Sequence, residues 1–119
     1  MKVSDIMISP VVVTQKNKTV KHVRELLERK KINAIPVLSM EGDIEGIVTV
    51  SDIASEANNE KFVEDIMTKK TYVVSVNSGL IDAAKMMEKH QVHHLVVMDN
   101  GQVVGIISSM DFVKLYAEN

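Results

Sequence analysis

The sequence contains no cysteine, which removes disulfides, thiolate zinc sites and cysteine nucleophiles together. A chain without cysteine also fits a reducing compartment. Tryptophan is absent and aromatic residues make up only 3% of the chain, while eight methionines offer adaptable apolar bulk for a core. No apolar run approaches the roughly 20 residues that span a bilayer. The opening Met1-Lys2-Val3-Ser4-Asp5-Ile6 has no apolar stretch of the kind a secretory signal needs. A cytoplasmic protein is expected, with no membrane partner. Concentrated positive charge is missing as well: the net charge is −2, and basic residues come in short pieces such as Arg29-Lys30-Lys31 and Lys69-Lys70. Nucleic acid, whose phosphate backbone calls for a concentrated basic surface, is not an expected partner.

What is present is an ordinary globular composition, 45% hydrophobic and 25% charged over 119 residues, enough for one domain or two interlocked halves. Its organising feature is an internal repeat. Val3-Ser4-Asp5-Ile6-Met7 returns sixty residues later as Val63-Glu64-Asp65-Ile66-Met67, with four of five residues identical. The same offset carries Leu26-Leu27-Glu28 onto Met86-Met87-Glu88, and Ile35-Pro36-Val37-Leu38 onto Leu95-Val96-Val97-Met98. After one residue is lost in a polar turn, Gly46-Ile47-Val48-Thr49-Val50-Ser51-Asp52 falls on Gly105-Ile106-Ile107-Ser108-Ser109-Met110-Asp111. The repeats divide the chain into residues 1–59 and 60–119.

Each copy reads as β–α–β–β–α. A short helical turn (Val3 to Met7; Val63 to Met67) leads into a β-branched strand, Val11 to Thr14 or Thr71 to Val74. A helix follows, with Thr19 or Ser78 as its N-cap. Its apolar stripe is Val20, Val23, Leu26 and Leu27 in one copy, and Leu80, Ala83, Ala84 and Met87 in the other. A hairpin comes next, Ile35 to Leu38 with Ile44 to Val50, or Leu95 to Met98 with Val103 to Ser108. Its second copy turns at Asn100-Gly101, a strong hairpin signal. A closing helix starts near Ser51-Asp52 or Ser109-Asp111, and the first one ends near Asn58-Asn59. One copy of about sixty residues is marginal by burial. The expected fold is therefore α+β, two pseudo-symmetric repeats packed sheet to sheet with helices outside. Apolar residues of the closing helices (Ile53, Ala54, Ala57; Phe112, Val113, Leu115, Tyr116) serve either packing between the copies or a homodimer contact.

Two constellations carry possible chemistry. Thr49 with Asp52, and Ser108 with Asp111, sit where a strand runs into a helix. A helix start offers unpaired N–H groups to a phosphate, and an aspartate can accept both hydroxyls of a ribose. Read as residues alone, Ser51, Asp52, Ser109 and Asp111 serve equally as helix N-caps. His90, His93 and His94 suggest a metal, but the last two fall at a helix-to-strand junction where helical spacing fails, and no cysteine or obvious carboxylate completes a set. They read as a helix terminus and as residues lining a cleft, His94 being able to contact a base or respond to pH. No P-loop, no paired serine and histidine and no complete metal set is present, and an enzyme is not expected.

The order of Asp-Ile-Met, strand, amphipathic helix, Ile35-Pro36-Val37-Leu38, a glycine turn and Gly46-Ile47-Val48-Thr49-x-x-Asp52 resembles the CBS domain, named after cystathionine β-synthase, in its tandem form, the Bateman module. The resemblance covers nearly the whole chain, twice. It implies a regulatory module that binds adenosine-containing ligands (AMP, ADP, ATP, S-adenosylmethionine, NAD or cyclic di-AMP) in clefts between the copies, dimerises, and signals to a separate protein partner. It further implies that Asp52 and Asp111 take the ribose and that Thr49 and Ser108 take phosphate. The base would lie against Val11, Val12, Ala34 and Pro36 in one site, and against Thr71, Tyr72, His94 and Val96 in the other. Where the family often has a basic residue between the hydroxyl and the aspartate, this chain has Val50-Ser51 and Ser109-Met110. That favours a monophosphate or an uncharged adenosine compound over a polyphosphate. Lys69 and Lys70 could add charge near the second site, or form a solvated turn. The alternative reading is a ligand-free scaffold for dimerisation or protein docking.

Overall fold

In a computed structural model of the chain, which describes residues 1–118, the Thr19 hydroxyl accepts the His22 N–H at 3.1 Å and starts helix α1, Val20–Lys30. Its apolar stripe buries Val20, Val23, Leu26 and Leu27. The helix ends at Lys31 in the left-handed conformation (φ 55°), whose N–H returns to the Glu28 and Leu27 carbonyls. Strands β1, Ala34–Leu38, and β2, Ile44–Thr49, form the antiparallel hairpin, followed by helices α2, Val50–Ala54, and α3, Val63–Ile66. The second copy runs β3, Val73–Ser75; α4, Leu80–His90; β4, His94–Asp99; β5, Gln102–Ser108; and α5, Ser109–Ala117. The architecture is α+β, with α4 closing at Gln91 (φ 54°) just as α1 closes at Lys31.

Several local features differ from the sequence reading. The cap of α4 is Gly79, with no side-chain bond, rather than Ser78. Gly79 stands where Thr19 stands in the first copy, so the repeat itself marks the position. Ala84 is exposed, and the half-buried Met86 packs on the core in its place. Helix α2 stops at Ala54, well short of Asn58. Arg24 on α1 donates to the Ile53 carbonyl (3.4 Å), the Glu56 carbonyl (2.7 Å) and Asn59 Oδ1 (3.1 Å), holding the following chain away from a helical path.

The first strands of the two copies also part ways. In the second copy β3 pairs in parallel with β4, and the Val96 N–H donates to the Tyr72 carbonyl at 3.0 Å. The residue equivalent to Val96 is Pro36, which has no N–H to give. The expected strand over Val11–Thr14 shrinks to a single parallel bridge, Thr14 with Val37. It is held by Thr14 N–H to the Pro36 carbonyl (3.0 Å) and Leu38 N–H to the Thr14 carbonyl (2.9 Å).

The chain forms two compact units whose limits are not those of the repeats. One is continuous, Val12–Thr71. The other is split, Met1–Val11 together with the chain from Tyr72. Each repeat's leading turn thus belongs to the unit built on the other repeat's hairpin. In the split unit Ile8 and Ile106 exchange backbone bonds (2.8 and 3.2 Å), and in the continuous unit Thr68 and Ile47 do the same (2.9 Å each). The core of the continuous unit includes Val20, Val23, Ile35, Val37, Val48 and Val63, and that of the split unit includes Val3, Leu80, Leu95, Val97 and Ile107. No helix among the described residues is long and apolar enough to cross a membrane.

Two glycines permit this docking. A β-carbon on Gly46 would stand 2.8 Å from Met67 Sδ and 2.9 Å from the Thr68 carbonyl oxygen; one on Gly105 would meet Met7 Sδ at 2.8 Å and the Ile8 carbonyl at 3.0 Å. The methionine can yield, but the carbonyl belongs to the paired backbone and cannot. Gly46→Ala and Gly105→Ala are each expected to cost about 1–3 kcal/mol, seen as a lower midpoint in urea or thermal denaturation. Adding Met67→Ala to Gly46→Ala should recover only part of the loss, and unchanged midpoints would show that the turns do not bear on the hairpins.

Candidate functional site

The junction of each hairpin with its closing helix is built from a hydroxyl and a carboxylate three residues apart. Thr49 is the N-cap of α2 and Asp52 its third residue. The Thr49 N–H donates to Asp52 Oδ2 at 2.9 Å and its hydroxyl to the same oxygen at 3.2 Å, while the Asp52 N–H returns to Thr49 Oγ1 at 3.4 Å. Ser108 and Asp111 repeat this at α5, with distances of 2.8, 3.1 and 3.3 Å. These are reciprocal capping boxes, in which two otherwise orphaned backbone donors are satisfied at once. The caps are Thr49 and Ser108, not the Ser51 or Ser109 that the sequence also allowed.

Strand register sets what stands beside each box. Ala34 pairs with Thr49, and His94 pairs with Ser108. The Asn33 carbonyl accepts the Val50 N–H at 3.0 Å, and the His93 carbonyl accepts the Ser109 N–H at 2.9 Å, so the residue before each strand ties down the start of its helix. Further along the same strands lie Pro36 and Val96, both buried. The continuous unit therefore holds Val12, Ala34, Pro36, Thr49, Asp52 and Thr71, and the split unit holds Val11, Tyr72, His94, Val96, Ser108 and Asp111. The pairs Val11–Val12 and Thr71–Tyr72, each expected to line one wall, straddle the limits of the units. One surface hollow of the continuous unit, of about 490 Å³ between Leu27, Ile32, Val50 and Ile53, contains none of these residues.

The three histidines go different ways. His90 stacks on Tyr72, ring centroids 4.0 Å apart and planes 18° from parallel. His93 is exposed, and His94 is half-buried. Among the described residues no three His, Asp or Glu side chains converge as a metal site would require. Two contacts escaped the sequence reading. The Thr68 hydroxyl reaches Asp52, 3.3 Å from Oδ1 and 3.4 Å from Oδ2. The difference that reveals it, Thr68 against Ile8 in the first copy, is visible in the repeat, but its partner sixteen residues away is not. The stacking of Tyr72 on His90 likewise joins residues that no local motif connects.

Burial drives the His94 pKa below its ordinary 6.5, the neighbouring His93 pushes the same way, and Asp111 opposes both. As the pH falls through 6.5 the unfolded chain takes up this proton before the folded one does, so stability is lost on the acid side and regained as the pH rises. Urea denaturation at neutral pH and at steps below 6.5 should show this slope in the native sequence and a shallower one in His94→Gln. An equal slope in both would assign the dependence to another group.

The CBS domain family matches this chain twice, over residues 3–59 and 63–118. An uncharacterized protein of Methanocaldococcus jannaschii, MJ0188, is 37% identical over 121 residues, 99% of this chain and 45% of that protein. The chain spans less than half the length of this relative and of the next two curated relatives, 45%, 39% and 23% of them. Among solved structures, the CBS domain pair of protein MJ0100 in complex with 5′-methylthioadenosine and S-adenosyl-L-methionine is similar at a TM-score of 0.91 and 29% identity, over 99% of this chain and 97% of that one. CBSX2 in complex with AMP is similar at a TM-score of 0.81 and 25% identity, over 98% and 96%. With two family matches that together cover nearly its whole length, the chain belongs to the CBS domain family and is a tandem pair of these domains, a Bateman module.

Proposed function

We propose that this CBS domain pair is a non-catalytic regulatory module that binds an adenosine-containing ligand and passes the signal to a protein it is joined to or docks with. The observation that carries the reading is the duplicated hydroxyl–carboxylate box, set each time at the end of a strand whose partner begins with a candidate base-wall residue. In this reading the carboxylates of Asp52 and Asp111 receive ribose hydroxyls. Thr49 and Ser108, each at a helix start, face the 5′ substituent. Ala34, Pro36 and Val12 offer an apolar wall for the base in the continuous unit, and Tyr72, Val96 and His94 do so in the split unit, with Val11 and Thr71 at the edges. His94, held neutral at pH 7, can present a ring nitrogen to the base without a charge.

The ligand class is narrowed by what the boxes lack. No basic side chain lies between Thr49 and Asp52 or between Ser108 and Asp111. A polyphosphate such as ATP or ADP, or the diphosphate of NAD, would find no positive charge within the boxes themselves, and only Lys69 and Lys70, next to the Thr68 that reaches Asp52, could add it at the first. S-adenosylmethionine, 5′-methylthioadenosine and AMP fit better, and these are the compounds named with the similar MJ0100 and CBSX2 structures. Such a soluble ligand pool makes the cytoplasm the working compartment.

One observation favours a second reading, a homodimerising scaffold. Helix α5 buries none of its residues, and Met110, Val113 and Tyr116 are 50%, 55% and 86% exposed. In this second reading the pair keeps the fold for dimerisation or protein docking and binds no ligand.

Thermal unfolding separates the readings. A ligand at one hundred times its dissociation constant adds about 2.7 kcal/mol, which for a domain of this size raises the midpoint by on the order of 10 °C. The shift is expected with S-adenosylmethionine, 5′-methylthioadenosine or AMP, is not expected with guanosine nucleotides, and should shrink in Asp111→Ala or Asp52→Ala. A flat response to all adenosine compounds at millimolar concentration would leave the scaffold reading in its place.

A further inference from the structure

The two boxes are alike in sequence but not in how much of each carboxylate is free. Asp52 Oδ2 accepts the Thr49 N–H, the Thr49 hydroxyl and, at 3.4 Å, the Thr68 hydroxyl, which also lies 3.3 Å from Oδ1. Both oxygens of Asp52 are therefore engaged. In the split unit the place of Thr68 is taken by Ile8, which pairs with Ile106 as Thr68 pairs with Ile47. Isoleucine has no polar atom to offer. Asp111 Oδ2 accepts the Ser108 N–H and hydroxyl, and among the described residues Asp111 Oδ1 accepts no hydrogen bond.

An ionised carboxylate has about four lone-pair sites. A ribose diol brings two donors and needs two of them. At Asp111 they are open, whereas at Asp52 the diol must displace the Thr68 hydroxyl. We propose that Thr68 is an affinity-determining residue, one that leaves Asp52 satisfied from within the protein and makes Asp111 the primary ligand site. This rests on the adenosine reading and goes beyond it by ranking the sites and naming the residue that ranks them. For AMP, whose 5′ phosphate is anionic, the helices act in the same direction, since α5 has nine residues behind its N-terminus and α2 only five. The base wall acts the other way. The Val12 carbonyl is spared a bond because Pro36 has no N–H, while the Tyr72 carbonyl takes one from Val96.

The test is calorimetric titration of the full chain with S-adenosylmethionine and with AMP. The native sequence should show a tighter event that Asp111→Ala removes and a weaker one that Asp52→Ala removes. Thr68→Val, nearly isosteric and outside the capping box, should strengthen the weaker event by roughly three- to tenfold, the worth of one hydrogen bond. Thr68→Ser should behave as the native protein. Ile8→Thr should weaken the tighter event by a similar factor. These two positions keep the test decisive should the aspartate variants unfold. Binding in which Asp52→Ala removes the tighter event, or in which Thr68→Val weakens binding or leaves it unchanged, would overturn the ranking while leaving the adenosine reading intact. No heat from the native protein or any variant with either compound would overturn that reading and the ranking with it.

Discussion

The contact of a methionine and a main-chain carbonyl with a bare glycine, Met67 and Thr68 on Gly46 and Met7 and Ile8 on Gly105, holds each leading turn against a hairpin that comes from the other repeat. Only a residue without a β-carbon lets a paired backbone approach this closely. Each unit then takes its turn from one copy and its hairpin and helices from the other. A single copy of about sixty residues is marginal by burial. The exchange makes each copy necessary to the fold of both units. The docked turn also carries position 8 or 68 to the hairpin, and in the continuous unit that residue reaches the carboxylate at the hairpin's end. The contact that completes each unit therefore governs the chemistry beside each box as well.

What could be read from the chain was what is local. The Thr19 cap, the stripe of α1, most of that of α4, both hairpins and both boxes depend on residues within a few positions of one another, and periodicity or spacing shows them. Two errors are local, the cap at Ser78 and Ala84 in the α4 stripe, and the larger ones lie where distant residues decide. Arg24 ends α2 early by reaching the Ile53 and Glu56 carbonyls across some thirty positions. The allegiance of the leading turns could not be seen, because a repeat aligns a turn with its own hairpin and says nothing of which hairpin it meets. The lost first strand was within reach. The repeat sets Pro36 against Val96, and a proline without an N–H cannot complete a parallel ladder. The site was legible as residue types at each box, and the strand register brought Ala34 and His94 to them, but Thr68 and the Tyr72–His90 stack were hidden by their separation in sequence.

The two readings of the boxes that the residues left open, helix cap or ligand site, need not compete. A capping aspartate is held by bonds from its own N-cap, so its rotamer is set before any ligand arrives and little side-chain entropy remains to be lost on binding. Capping needs one oxygen and binding can use the other. Asp111 shows the division plainly, with Oδ2 given to Ser108 and Oδ1 left over. In the proposed reading a box that caps well is already a preorganised receptor, and the stability of the helix start and the affinity of the site draw on different oxygens of one carboxylate.

Duplication alone would yield two equal sites, so any difference between them must come from residues outside the repeated motif. Three such pairs stand close to the boxes: Ile8 against Thr68, Pro36 against Val96, and Ala34 against His94. Each alters one part of the proposed recognition surface and leaves the box intact. The first changes how much of the carboxylate is open, the second which backbone groups are spent within the sheet, and the third the polarity and size of the wall. All three lie on the docked turn or on the strands, where a change leaves the capping bonds untouched. The pair of units can thus diverge in ligand preference while the fold they share stays the same.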